Sequence, residues 1–65
     1  MSVTIKSKDK ILSVSIFDMR GQMIQSLKSL GNTEFTIPNL PKAGLYVVKV
    51  QTAGKTEYKK LIIRN

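Results

Sequence analysis

The stretch Lys42–Asn65 reads KAGLYVVKVQTAGKTEYKKLIIRN. Its apolar runs, Tyr46–Val50 and Leu61–Ile63, are separated by the turn signal Ala53-Gly54-Lys55, the pattern of a β-hairpin. Tyr46, Val48 and Val50 share one face at the period of two that an extended chain imposes, and Leu61 and Ile63 share one face of the following strand. Val47 and Ile62 point the other way, so they face solvent or meet a partner. Lys59 and Lys60 precede the final apolar run, and only Arg64 and Asn65 come after it.

The same alternation recurs upstream in Val3-Thr4-Ile5-Lys6, Leu12-Ser13-Val14-Ser15-Ile16 and Glu34-Phe35-Thr36-Ile37. Phe17 breaks the second pattern and gives that strand apolar surface on its other face. Turn signals fall at Lys8-Asp9-Lys10, Arg20-Gly21-Gln22, Gly31-Asn32, Pro38-Asn39 with Pro41–Gly44, and Ala53-Gly54-Lys55. They delimit strands at residues 2–6, 11–18, 22–28, 33–37, 45–52 and 55–63. In the third, Met23, Ile24, Leu27 and Leu30 also fit a helical spacing, but the short interval between Gly21 and Gly31 and the neighbouring strands favour a strand.

These features predict an all-β fold, a small antiparallel Ig-like β-sandwich of about six strands built from sequential hairpins with mostly local contacts. The expected core is Val3, Ile5, Leu12, Val14, Ile16, Ile24, Leu27, Phe35, Ile37, Leu40, Tyr46, Val48, Val50, Leu61 and Ile63.

A chain of 65 residues makes one small domain, burying about 60% of the surface its unfolded form exposes. Cysteine and histidine are absent, and the acidic residues Asp9, Asp18, Glu34 and Glu57 are dispersed. A Ser or Thr nucleophile would lack a His partner and a metal would lack a ligand cluster, so no catalytic, metal or cofactor site is expected and the chain reads as non-enzymatic. No apolar run approaches the roughly 20 residues of a membrane span, and Met1–Lys10 lacks the layout of a secretory signal. An export role would therefore make Met1 an internal cut, with the export sequence supplied by a larger precursor.

The net charge of +7 invites a polyanion-binding reading. Against it, the lysines scatter over strands and turns, and of Phe17, Phe35, Tyr46 and Tyr58 no two sit on one strand at the spacing of a base-stacking platform. No nucleic-acid partner is expected, and a solvated basic surface explains the charge more simply. Lys59-Lys60 read either as contacts for an acidic partner or as gatekeepers beside Leu61-Ile62-Ile63, and composition alone favours the gatekeeper reading. Gly21, Gly44 and Gly54 read as turn formers, and none lies in a phosphate-cradling motif.

The order of motifs says more than any one of them. Val14-Ser-Ile-Phe-Asp-Met-Arg-Gly-Gln-Met-Ile24 is followed by Phe35-Thr-Ile-Pro-Asn-Leu40, Ala43-Gly-Leu-Tyr-Val-Val-Lys-Val50, Gly54-Lys55 and Lys59-Lys-Leu-Ile-Ile-Arg64. Over residues 12 to 64 this resembles the C-terminal sorting domain of type IX secretion cargo from Bacteroidota. In two respects the chain departs from that family's pattern. No Pro-Asn-Pro strand precedes Val3, which suggests a missing N-terminal strand and an open sheet edge able to exchange strands in a homodimer, and the chain ends in Arg64-Asn65 where a lysine is commoner.

The resemblance implies that residues 1–65 form one sorting domain following an N-terminal cargo domain in a larger exported precursor. It implies passage through the periplasm to the outer face of the outer membrane or beyond. It also implies recognition by the outer-membrane translocation machinery and removal by a sortase-like signal peptidase. The residues expected to carry recognition are Gly44, Tyr46, Lys59, Lys60, Leu61, Ile62, Ile63 and Arg64, with Lys59, Lys60, Ile62 and Arg64 facing outward. The alternative is a basic β-sandwich module for binding or adhesion to a polyanion.

Overall fold

A computed structural model of the protein describes residues 3–64. Each alternating segment forms a strand: β1 (Val3–Lys6), β2 (Ile11–Phe17), β3 (Met23–Lys28), β4 (Glu34–Ile37), β5 (Gly44–Thr52) and β6 (Thr56–Ile63). The strands lie within about a residue of their expected positions; Ser2, assigned to the first, is outside the described residues. β3 is a strand, and Leu30, which completed its helical alternative, stands 97% exposed beyond it.

The fold is all-β, with a four-stranded antiparallel sheet ordered β3-β2-β5-β6 facing a two-stranded antiparallel sheet, β1-β4. Among the described residues, only β2–β3 and β5–β6 are sequential hairpins. The expectation of mainly local contacts is corrected by the pairing of β1 with β4 and of β2 with β5, partners distant in sequence. Sandwich closure demands this arrangement, because the apolar face of each sheet can be buried only against the other.

Ile5 and Ile37 on the small sheet pack with Ile11, Val14, Ile16, Tyr46, Val48, Val50 and Ile63 on the large one. Val3, Leu27, Phe35, Leu40 and Leu61 surround them, half-buried. Two expected core residues are corrected: Leu12 and Ile24 are each 45% exposed. Both lie at β-bulges, where one strand carries an extra residue and its alternation changes phase. Against β5, Ile11 pairs with Thr52 and Ser13 with Gln51, so Leu12 is the extra residue and Ile11 takes the buried place beside Val14. Against β2, Met23 pairs with Phe17 and Gln25 with Ile16, leaving Ile24 as the surplus residue.

Candidate functional site

The motif Phe17-Asp-Met-Arg-Gly-Gln22 is a self-satisfying turn. Asp18 Oδ1 accepts hydrogen bonds from the backbone N–H groups of Arg20 and Gln22, both at 2.9 Å, and the Asp18 N–H donates to the Gln22 carbonyl at 2.9 Å. Gly21 closes the loop at φ +86°, a conformation that costs a residue bearing Cβ about 1–2 kcal/mol. The Asp and Gly of this motif thus set the β2–β3 connection, and the Asp18 carboxylate is committed to its own loop.

At the same end of the sandwich, Tyr46 is 6% exposed and its hydroxyl donates to the Lys42 carbonyl at 2.7 Å. This bond back to upstream backbone has the form of the tyrosine corner of immunoglobulin-type sandwiches. The ring lies 3.4 Å from the space a Cβ would fill at Gly44, which pairs with Ile63 on β6. Motifs far apart in sequence therefore converge here. The Asp18–Arg20 turn, Ile24 and the Lys42–Tyr46 segment line a shared open depression of about 410 Å³.

β6 forms one edge of the four-stranded sheet, with β5 on one side and no strand of the described residues on the other. Of the residues expected to carry recognition, Gly44, Lys59, Lys60, Ile62 and Arg64 are exposed, Leu61 is half-buried, and Tyr46 and Ile63 are buried. The pairing of Val48 with Lys59 corrects one orientation: Lys59 shares the core-side face of β6 with Leu61 and Ile63, whereas Lys60 and Ile62 share the outer face. Lys59 nevertheless stays exposed, lining with Lys6 of β1 a groove between the two sheets. Val3, Ile5, Val48 and Leu61 form the floor of this groove of about 190 Å³ between β1 and β6.

On the outer face, Phe17, Met19, Val47 and Tyr58 border an open apolar groove of about 380 Å³ with Lys49 at its side. Sequence reasoning noted Phe17 but passed over Met19; the signal was present in the Met19-Arg-Gly-Gln-Met23 turn, which carries apolar side chains on both flanks. Phe17 and Tyr58 meet around this groove from different strands, β2 and β6. At the other end of β6, Lys55 Nζ bonds Glu57 Oε1 at 3.0 Å. This hydrogen bond lowers the carboxyl of Glu57 and raises the ammonium of Lys55, with their Coulombic attraction adding to both effects. Among the described residues, no group of three or more His, Cys, Asp or Glu gathers to hold a metal.

The family model of the secretion system C-terminal sorting domain matches residues 1–64. The chain belongs to this family. No curated protein matches the chain. Membership makes the sorting domain a C-terminal secretion signal of the type IX system, in a family that is non-catalytic in general. It ties the domain to the type IX secretion machinery and to secreted or cell-surface proteins. The signature residues divide physically: Asp18, Gly21, Tyr46 and Ile63 build the scaffold, while Lys59, Lys60, Ile62 and Arg64 stand on its surface.

Proposed function

We propose that this sorting domain is the terminal address of a larger exported precursor, read on the folded β5–β6 hairpin by the outer-membrane translocon. The observation that carries the reading is the family match over residues 1–64, which contains the ordered motifs and the terminal strand. Lys59, Lys60, Ile62 and Arg64 with Gly44 are the contact residues in this reading, while Tyr46, Leu61 and Ile63 hold the hairpin in shape. The cargo passes from the periplasm to the outer face, where a sortase-like peptidase removes the domain. The domain performs no chemistry of its own.

A periplasmic reporter carrying the domain at its C-terminus, in a host with type IX machinery, tests this reading. The reporter reaches the cell surface with the domain attached and stays in the periplasm without it, and mass spectrometry of the surface form shows loss of the domain. The double substitution Lys60→Glu and Ile62→Glu leaves the circular-dichroism spectrum intact, because both side chains are exposed, and strands the reporter in the periplasm. Surface delivery that continues undiminished in the double variant overturns the role of this strand.

A further inference from the structure

The two edges of the four-stranded sheet differ in their readiness to accept another strand. β3 carries a bulge at Ile24, a device that twists an edge away from further pairing. β6 pairs with β5 in unbroken register from Thr56 to Ile63, so its opposite side presents a regular edge 8 residues long. Lys59 and Lys60, adjacent on an extended strand, project to opposite faces of that edge, and Arg64 follows its end. Glu57, the one acidic residue of β6, is already paired with Lys55. Alongside, the groove floored by Val48 and Leu61 is open and apolar, with Lys59 and Lys60 at its rim.

We propose that β6 is an acceptor edge for an extended, acidic segment of a partner protein. The segment adds beside β6 as a further strand of the sheet. Its backbone pairs with the free edge, an apolar side chain enters the groove at Leu61, and acidic side chains on both faces meet Lys59 and Lys60. Charge complementarity selects this occupant. A second copy paired in register about Lys59 or Lys60 would bring these lysines against themselves in a molecule already at +7, and like charges placed opposite one another destabilise a strand pair. The proposal rests on reading β6 as the recognised strand and adds the chemistry of what reads it.

Titration calorimetry with a capped peptide of alternating valine and glutamate, matched in length to β6, provides the test, with a valine–lysine peptide as counterpart. The glutamate peptide binds one-to-one, weakens as salt is raised, and slows hydrogen exchange at the β6 amides; the lysine peptide binds at least about tenfold more weakly. The K59E/K60E double variant keeps its spectrum and melting behaviour and reverses the preference. Equal binding of the two peptides, slowed exchange at β3 instead of β6, unchanged preference in the variant, or a β6-to-β6 dimer that excludes the peptide overturns the proposal. The sorting reading fails separately. A reporter that needs the domain for surface delivery, although the wild-type domain binds no acidic peptide, refutes the acceptor edge alone. A domain that binds the peptide but delivers no reporter refutes the sorting role alone.

Discussion

The β2–β3 and β5–β6 hairpins each supply one edge of the same sheet, yet they finish it in different ways. The first is closed by an Asp18 carboxylate that gathers the loop amides and is bulged at Ile24, so Met23 and Ile24 stand exposed on an irregular edge. The second is closed by Thr52, whose hydroxyl donates to the Lys55 carbonyl at 3.0 Å and accepts from the Lys55 N–H at 3.2 Å. Beyond that loop its register runs unbroken to Ile63. The irregular edge is protected by its geometry, whereas among the described residues the regular one carries no bulge and is marked by Lys59, Lys60 and Arg64.

The largest expected effect breaks this comparison at matched chemistry. Ile63→Ala, at a position 5% exposed, removes core packing and costs about 2–4 kcal/mol, a large part of the roughly 3–10 kcal/mol available to a domain this small. Ile24→Ala, the same substitution on the bulged edge, costs less than about 0.5 kcal/mol. Chemical denaturation measures both, and equal losses would show that the bulge does not release Ile24 from the core.

A smaller effect sharpens the difference between the loops. Asp18→Ala leaves the Arg20 and Gln22 amides without their acceptor and destabilises the domain by about 1 kcal/mol. Asp18→Asn retains an acceptor oxygen and loses less. Amide exchange in the variants accelerates first in β3 and leaves β6 unchanged if the hairpins are as independent as their loops indicate.

The smallest effect comes from the Lys55–Glu57 pair, which is accessible to solvent and screened by salt. Glu57 ionises below its ordinary value of 4.5 in the folded protein, so its contribution is present above that value. It is lost as pH falls through the lowered folded value. Lys55 titrates above its ordinary 10.5, so its part is present below that and disappears only as pH rises through the raised value. Thermal melts of Glu57→Gln differ slightly from wild type at neutral pH and converge in acid or at high salt.

Much of the fold was legible because strands announce themselves locally. Val14-Ser15-Ile16 and Glu34-Phe35-Thr36-Ile37 alternate, and Gly21, Gly31 and Gly54 mark breaks between strands. The errors concern strand partners and phase: β1 and β2 pair with the distant β4 and β5, and alternation is shifted at the bulges. Leu12 continues the alternation of Val14 and Ile16 in sequence, but pairing with β5 inserts a bulge and awards the buried place to Ile11. The family was legible as an ordered set of motifs, including the terminal strand on which the candidate site is placed. The site's geometry was not, since the meeting of the Asp18 turn with Lys42–Tyr46, and of Phe17 with Tyr58, depends on the non-local pairing of β2 with β5.

The sequence by itself determined the number of strands, the sites of the turns, the basic charge, the C-terminal hairpin and membership of the sorting-domain family. These follow from period-two alternation, turn chemistry and motif order, which are written along the chain. Tertiary structure alone decided that β1 pairs with β4 and β2 with β5, that Ile11 displaces Leu12, that Lys59 lies on the core-side face, and that β6 is a regular edge with no further strand of the described residues beside it. The reason is physical. Alternation assigns side chains to faces within one strand, but register and bulges are set by hydrogen bonding and packing between strands distant in sequence.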